Sequence, residues 1–389
     1  MGSTEVLLLT LVGRKFSYNL GGILQAYALQ ETLKELGRPS KFIDYTPNVS
    51  YNRLELMKDM IKNQKLLIST ILNVPKYGMQ KIEHRYFHKA RLIATTKFKQ
   101  NYLKFTSETF SDIKKLEKHY QNSTGYTFIV GSDVVWSPRY NDTDRLKVFL
   151  LGFTHNSYKA SYAASVGDPI PHHLRSIYKR YLTEFDFISV RERSSAKYLL
   201  DVLPTLDVEI VLDPTALLSR EEWMKIANPP QKIPQGSYIL VYDLYRSNEI
   251  LSPVIKFAKK HHLKVLTYSH SLFQRIKGVE TFYPYGPREF IWLMNGAKFV
   301  VTSSFHGTVF STIFQKPFVS INPEPYAPVT RIRDYLDLIG AGDRLLDDPA
   351  MITFSDFENI DWRDINQKLN FHKKRSIKYL KKVLREVQA

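Results

Sequence analysis

The chain has no cysteine in 389 residues, so disulfides and thiolate metal sites are excluded outright. That fits a reducing compartment. It also has no G-x-G-x-x-G and no Gly-Lys pair, which leaves a dinucleotide fingerprint and a P-loop without support. Long apolar runs are missing too: Val6 to Val12, the longest near the amino terminus, is too short to span a bilayer, and no cleavable signal pattern accompanies it. Val6 stands where a myristoylation signal needs Ser or Thr. A cytoplasmic location is expected.

Acidic residues are scarce beside basic ones, 38 Asp and Glu against 55 Lys and Arg, and the resulting formal charge of +17 implies attraction to an acidic partner. Nucleic acid, an anionic membrane surface and phosphorylated substrates all qualify. The basic residues are dispersed or gathered in the tail and no recognition motif is visible, which argues against nucleic acid. With 43% hydrophobic and 24% charged residues the composition is that of a soluble globular protein, and the length suggests two domains.

The most informative stretch is Ala297 to Ile321. Lys298 to Thr302 is a β-branched run that reads as a buried strand, Ser303 to Gly307 as a loop, and Thr308 to Phe314 as a helix that Pro317 stops. Phe318 to Ile321 reads as the next strand. In such a unit the ligand lies beyond the carboxyl end of the strand, where the following helix offers free N–H groups and a positive dipole end. His306 stands at that junction. The dipole disfavours the imidazolium, so a neutral His306 able to accept a proton is expected; a histidine that only caps the helix is the other reading.

Along the chain, Glu5 to Val12 predicts a strand, Gly21-Gly22 open a helix that Gly37 ends, and Phe42 to Tyr45 predicts a strand. Gly21 and Gly22 serve either tight packing or close approach to a ligand. Leu54 to Lys104, rich in lysine and long apolar side chains, reads as a helical insertion, with His84 and His88 on a structural face. Strand Tyr126 to Val130 delivers Gly131-Ser132-Asp133, where Asp133 serves as sugar ligand, arginine partner or turn former. Asp142-Thr143-Asp144 matches a metal-binding D-x-D, a triplet frequent by chance in polar loops. Strands Lys159 to Ala164 and Phe187 to Val190 follow, the second ending in Arg191 beside the helix Ser194 to Leu203, a place suited to gripping phosphate or carboxylate. Val208 to Leu212 and Asp213-Pro214-Thr215 close the first half.

Residues 228–236, NPPQKIPQG, read as a linker, after which the alternation restarts with Tyr238 to Tyr242 and continues through the helix Asn248 to His261 and the strand Leu263 to Tyr268. The expected division is therefore an N-terminal α/β half over 1–227 with its insertion at 54–104, a C-terminal half over 237–370, and a basic helix over 371–389. That last helix either lies on an anionic membrane or packs its apolar stripe, Ile377, Leu380 and Leu384, on the body.

SSFHG, followed by an apolar helix, QKPFVSI and Arg331-Ile-Arg333, resembles the carboxyl-terminal signature of the polysaccharide pyruvyl transferase family. Further landmarks recur in order: NLGGILQAYALQ from Asn19, FIVGSDVVWSP from Phe128, SVRERSSAKYL from Ser189 and VLDPTALL from Val211. The chain departs from the family pattern at Leu20, commonly an aromatic, at Val134, often an amide-type residue, and at Ser304, where several branches have an arginine. The resemblance implies a GT-B-like pair of Rossmann-type α/β domains facing across a cleft. It also implies transfer of the pyruvyl group of phosphoenolpyruvate onto two hydroxyls of a hexose, giving a cyclic ketal in a lipid-linked precursor of a bacterial surface polysaccharide such as a capsule.

On that reading phosphoenolpyruvate is a co-substrate, and neither cofactor nor metal is called for. His306 and Arg191 are the expected catalytic residues, with Arg191 at the phosphoenolpyruvate position. Asn19, Gly21, Gly22, Asp133, Ser304, Gly307, Thr308, Arg331 and Arg333 are the expected substrate contacts. A glycosyltransferase using a nucleotide sugar shares the architecture and is the alternative, distinguishable by release of a nucleoside diphosphate.

Overall fold

The computed structural model describes residues 5–14, 19–47, 89–122, 124–139, 142–243, 247–268, 278–281, 286–324, 327–353 and 355–386. Most of the expected insertion, including His84 and His88, lies outside these; residues 89–102 form a helix, α2.

Strand β1, Glu5–Leu9, is EVLLL and sits at the centre of a five-stranded parallel sheet in the order β3-β2-β1-β4-β5. Its partners are β2, Ser40–Tyr45, and β4, Tyr126–Val130, with β3, Phe105–Phe110, and β5, Tyr158–Ser161, outside them. A strand covered on both faces needs apolar residues at every position, not at alternate ones, which is why β1 and β4 read as continuous apolar runs. β3, FTSETF, is an edge strand with polar residues and gave no such signal. A short parallel pair, β6, Ile188–Val190, and β7, Val208–Ile210, joins the β5 edge through bridges at Ala160–Phe187 and Ala164–Val190.

The second sheet has six strands, all paired in parallel, in the order β10-β9-β8-β11-β12-β13. These are β8, Tyr238–Tyr242; β9, Lys264–Tyr268; β10, Val279–Thr281; β11, Phe299–Thr302; β12, Phe318–Ile321; and β13, Leu345–Leu346. Each half thus reverses its winding beside its first strand, between β1 and β4 and between β8 and β11. Those reversals leave a crevice at the carboxyl ends of the strands.

Helix α1, Leu20–Glu35, is buried along nearly its whole length, because it carries apolar or small residues on almost every side and is covered by both halves. Tyr27 meets the rings of Phe98, Tyr102 and Trp223 at 5.9, 6.0 and 5.6 Å between centroids. One continuous core runs through Leu8, Leu24 and Trp223 to Leu240, Val300 and Phe310, so the halves share their interior.

The last helix overrides the expected boundary at residue 371. Trp362–Glu386 is a single helix that crosses back to the N-terminal half: Tyr379 Oη donates to the Ser161 carbonyl at 2.8 Å and the Leu212 amide to Ser376 Oγ at 2.9 Å. Leu380, Val383 and Leu384 are buried. No helix among the described residues is long and apolar enough to cross a membrane.

Candidate active site

The two crevices face each other, and two helix N-termini meet there. Asn19 Oδ1 accepts the Gly21 amide at 3.1 Å and caps α1. On the other side Ser304 caps the helix Phe305–Ile313, accepting the Gly307 amide at 3.4 Å. The cap starts this helix three residues earlier than the apolar spacing suggested, so His306 lies in its first turn and not in a loop.

His306 reaches across onto α1. A Cβ on Gly21 would stand 2.1 Å from its Nδ1 and 2.5 Å from its Cγ, so only glycine leaves room for the ring. Its Nε2 is buried, has no hydrogen-bond partner among the described residues, and lies 3.7 Å from Oδ2 of Asp213.

Asp213 follows β7 and caps the turn Pro214–Leu217, its Oδ1 accepting the Thr215 amide at 2.9 Å and hydroxyl at 2.6 Å. Its Oδ2 accepts Arg191 Nη1 at 3.0 Å and Ser132 Oγ at 3.2 Å. Burial pushes its pKa upward, but His306, the Arg191 guanidinium and the Thr215 hydroxyl outweigh burial and hold the carboxyl well below the usual range.

Arg191 leaves the end of β6 as expected, yet its charge is spent inside the protein. Nε donates to Glu192 at 3.1 Å, Nη2 lies 3.9 Å from Asp133, and the guanidinium carbon sits 4.1 Å from the Phe305 ring centre. Burial opposes the charge, but the carboxylates of Glu192, Asp213 and Asp133 outweigh it and raise the pKa above its ordinary value. Asp133, at φ +73°, also accepts the Val134 amide at 3.0 Å and faces Gly22, where a Cβ would lie 3.3 Å from its Oδ2. Gln25 ties the strand ends together, donating to Thr10 Oγ1 at 2.9 Å and accepting the Ser132 amide at 3.1 Å.

A narrow pocket of about 50 Å³ opens here, lined by Asn19, Asp133, Ser304, His306 and Arg331 with Ser303 and Pro323. Arg331 lies on the helix Thr330–Ile339, α11. Its Nε is buried without a hydrogen bond, and no carboxylate lies within 4.0 Å of it among the described residues. Among the described residues it is the cation of the pocket that has no carboxylate partner. An unpaired guanidinium, two helix N-termini and a histidine backed by a carboxylate suit the binding of an anion and the transfer of a proton beside it.

The model of a family described as polysaccharide pyruvyl transferase matches residues 19–325, which span both crevices. The chain belongs to this family. It is a transferase of polysaccharide biosynthesis, and its two parallel α/β sheets with many helices are GT-B-like. UDP-N-acetylglucosamine 2-epimerase from Rickettsia bellii superposes with a TM-score of 0.57 at 9% identity, over 99% of this chain and 98% of that one. UDP-GlcNAc 2-epimerase from Neisseria meningitidis, bound to UDP-GlcNAc, gives 0.54 at 11% identity over 98% and 100%. At such identities the likeness is one of fold. No curated protein sequence matches significantly.

Of the residues expected in the site of this family member, Asn19, Asp133, Ser304, His306 and Arg331 line the pocket, and Gly21 and Gly22 lie directly behind it. Three others are used elsewhere. Gly307 seats its helix on the sheet, where a Cβ would meet Thr302 Oγ1 at 2.2 Å, and the fully buried Thr308 donates to the Ser304 carbonyl at 3.1 Å. Arg333, two positions beyond Arg331 and so on the opposite side of α11, is exposed beside Asp337 and Asp347. Asp142 of the D-x-D triplet caps the helix Thr143–Phe149, and the described residues hold no group of three or more metal-binding side chains. Asp213, Glu192, Ser132 and Gln25 were not foreseen as site residues. The signal for Asp213 was its place in Asp213-Pro214-Thr215, directly after a strand.

Proposed function

We propose that the protein transfers the pyruvyl group of phosphoenolpyruvate onto two hydroxyls of a hexose in a lipid-linked precursor of a bacterial surface polysaccharide. The observation that carries the reading is His306, backed by Asp213, in one pocket with the unpaired Arg331, within a chain of this family. The reaction needs cationic groups for a carboxylate and a phosphate, together with controlled proton transfer.

One hydroxyl oxygen bonds to C2 of phosphoenolpyruvate while a proton adds to C3, turning the methylene into a methyl group. The second hydroxyl oxygen then bonds to C2 as the C2–O bond to phosphate breaks, and its proton leaves with the phosphate. Atoms and charge balance as ketal plus inorganic phosphate. Arg331 and the amides of the two helix N-termini hold the anionic groups. His306 moves the proton: with Nε2–H turned to Asp213, Nδ1 takes it from the attacking hydroxyl or returns it to C3. Arg191 acts through Asp213 and Asp133, holding both carboxylates in place.

The test is incubation with phosphoenolpyruvate and a hexose-terminated acceptor. Acceptor-dependent release of inorganic phosphate is expected, and His306→Ala should lower its rate by roughly 10² to 10⁴-fold while phosphoenolpyruvate still raises the melting temperature. Release of a nucleoside diphosphate from a nucleotide sugar, with no response to phosphoenolpyruvate, would make the protein a glycosyltransferase instead.

A further inference from the structure

Helix Trp362–Glu386, α12, carries two stripes. The inner one, including Ser376, Tyr379, Leu380 and Val383, is buried against the body and holds the helix in a set orientation. The outer one places Lys374, Arg375, Lys378, Lys381, Lys382 and Arg385 in solvent at helical spacing. At about 1.5 Å of rise per residue the row is about 16 Å long. No acidic residue interrupts the helix between Asp364 and Glu386. Lys382 reaches Glu209 at 3.7 Å, and no other member of the row has a carboxylate within 4.0 Å among the described residues. At the start of the row, Phe371 is 58% exposed, with the Arg375 guanidinium 6.0 Å from its ring centre.

A solvated lysine face is the ordinary fate of such a stripe, but this one lacks what makes that fate cheap. Faces that serve only solubility mix both signs, whereas like charges three and four residues apart destabilise a helix. Here the buried stripe holds the charges together regardless, as a straight row with an aromatic side chain at one end. Basic residues on one helix face with an exposed aromatic beside them are the chemistry of an anionic lipid interface, headgroups meeting the charges and the ring entering the acyl boundary.

We propose that the outer face of α12 docks the protein on an anionic membrane surface. Its use in catalysis rests on the reading of a lipid-linked acceptor; the docking itself needs neither substrate. The full chain is mixed with vesicles of phosphatidylcholine containing phosphatidylglycerol, without phosphoenolpyruvate or acceptor, and sedimented. Binding that weakens with salt is expected, and none to phosphatidylcholine alone. Lys374→Gln, Lys378→Gln and Lys381→Gln together should lower affinity roughly a hundredfold, each basic residue near the surface contributing on the order of fivefold. Phe371→Ser should lower it further, with the melting temperature unchanged in both variants.

The control is Lys114→Gln, Lys115→Gln and Lys118→Gln on the helix Ile113–Tyr120, which removes the same net charge from another exposed face and should leave binding unaltered. Equal loss in the control would trace the attraction to net charge and overturn the proposal. So would unchanged binding by the α12 triple variant, or a single-stranded oligonucleotide that binds while the vesicles do not. If vesicles bind as expected but no pyruvyl transfer is found, the docking face stands and the reading of the reaction fails.

Discussion

His306 and Gly21, from opposite halves of the molecule, occupy what is nearly one place: a Cβ on Gly21 would lie 2.1 Å from the imidazole Nδ1. The halves therefore meet at the point where the chemistry is expected, and the ring owes its position to an absent side chain.

Gly21→Ala sets two effects against each other. Within a helix, alanine is favoured over glycine by about 1 kcal/mol. The clash with His306 outweighs that, since overpacking costs about 1 to 3 kcal/mol and a ring displaced by about 1 Å costs on the order of a hundredfold in rate. Acceptor-dependent phosphate release should fall by about that factor, with a lower melting temperature. Gly22→Ala, whose methyl would lie 3.3 Å from Asp133 Oδ2, should be far better tolerated.

Asp213→Asn weakens a buried charge cluster in which Arg191 keeps Glu192 and Asp133, and should destabilise the protein at pH 7 by about 1.5 to 3 kcal/mol, the cost of a lost hydrogen bond to a charged group. The pH dependence has a definite sign. The folded pKa of Asp213 is depressed, so its stabilisation is present above the unfolded carboxylate range near pH 4 and is lost as the pH falls through that range toward the folded value. Chemical denaturation from pH 7 to pH 3 should show the difference between the parent and Asp213→Asn narrowing below about pH 4.

Arg331 and Arg333 should separate cleanly. Arg331→Ala removes the unpaired pocket cation and should weaken phosphoenolpyruvate binding, read by thermal shift, by roughly ten- to a hundredfold. Arg333→Ala, on the other side of α11, should leave that binding unchanged.

Leu380→Ala should leave a cavity where α12 meets both halves, at a cost of about 2 to 5 kcal/mol. The melting temperature should drop, and activity on soluble and vesicle-bound acceptors should decline alike. That separates the inner stripe of α12 from its outer one.

The alternation of strands and helices, the coil at 228–236 and the placing of His306 beyond a strand were legible because each is local. A parallel strand buried on both faces announces itself by an unbroken apolar run, as in EVLLL or YILVY, and a helix by the spacing of its apolar residues. Edge strands such as FTSETF escaped, having only part of their surface to bury. The start of the His306 helix escaped too, because a serine cap and not periodicity sets it.

What only the tertiary structure decided is which groups face one another. That Gly21 is the seat of His306, that Asp213 stands behind the imidazole, that Arg191 is neutralised while Arg331 is not, and that Gly307 and Thr308 turn inward all depend on distances between segments far apart in the chain. Sequence periodicity reports which face of an element is apolar. The partner of a buried charge is chosen when strand ends distant in the chain pack side by side, as those bearing Asp133, Arg191 and Asp213 do, since a charge leaving water must take the carboxylate or guanidinium that packing brings within a few ångströms.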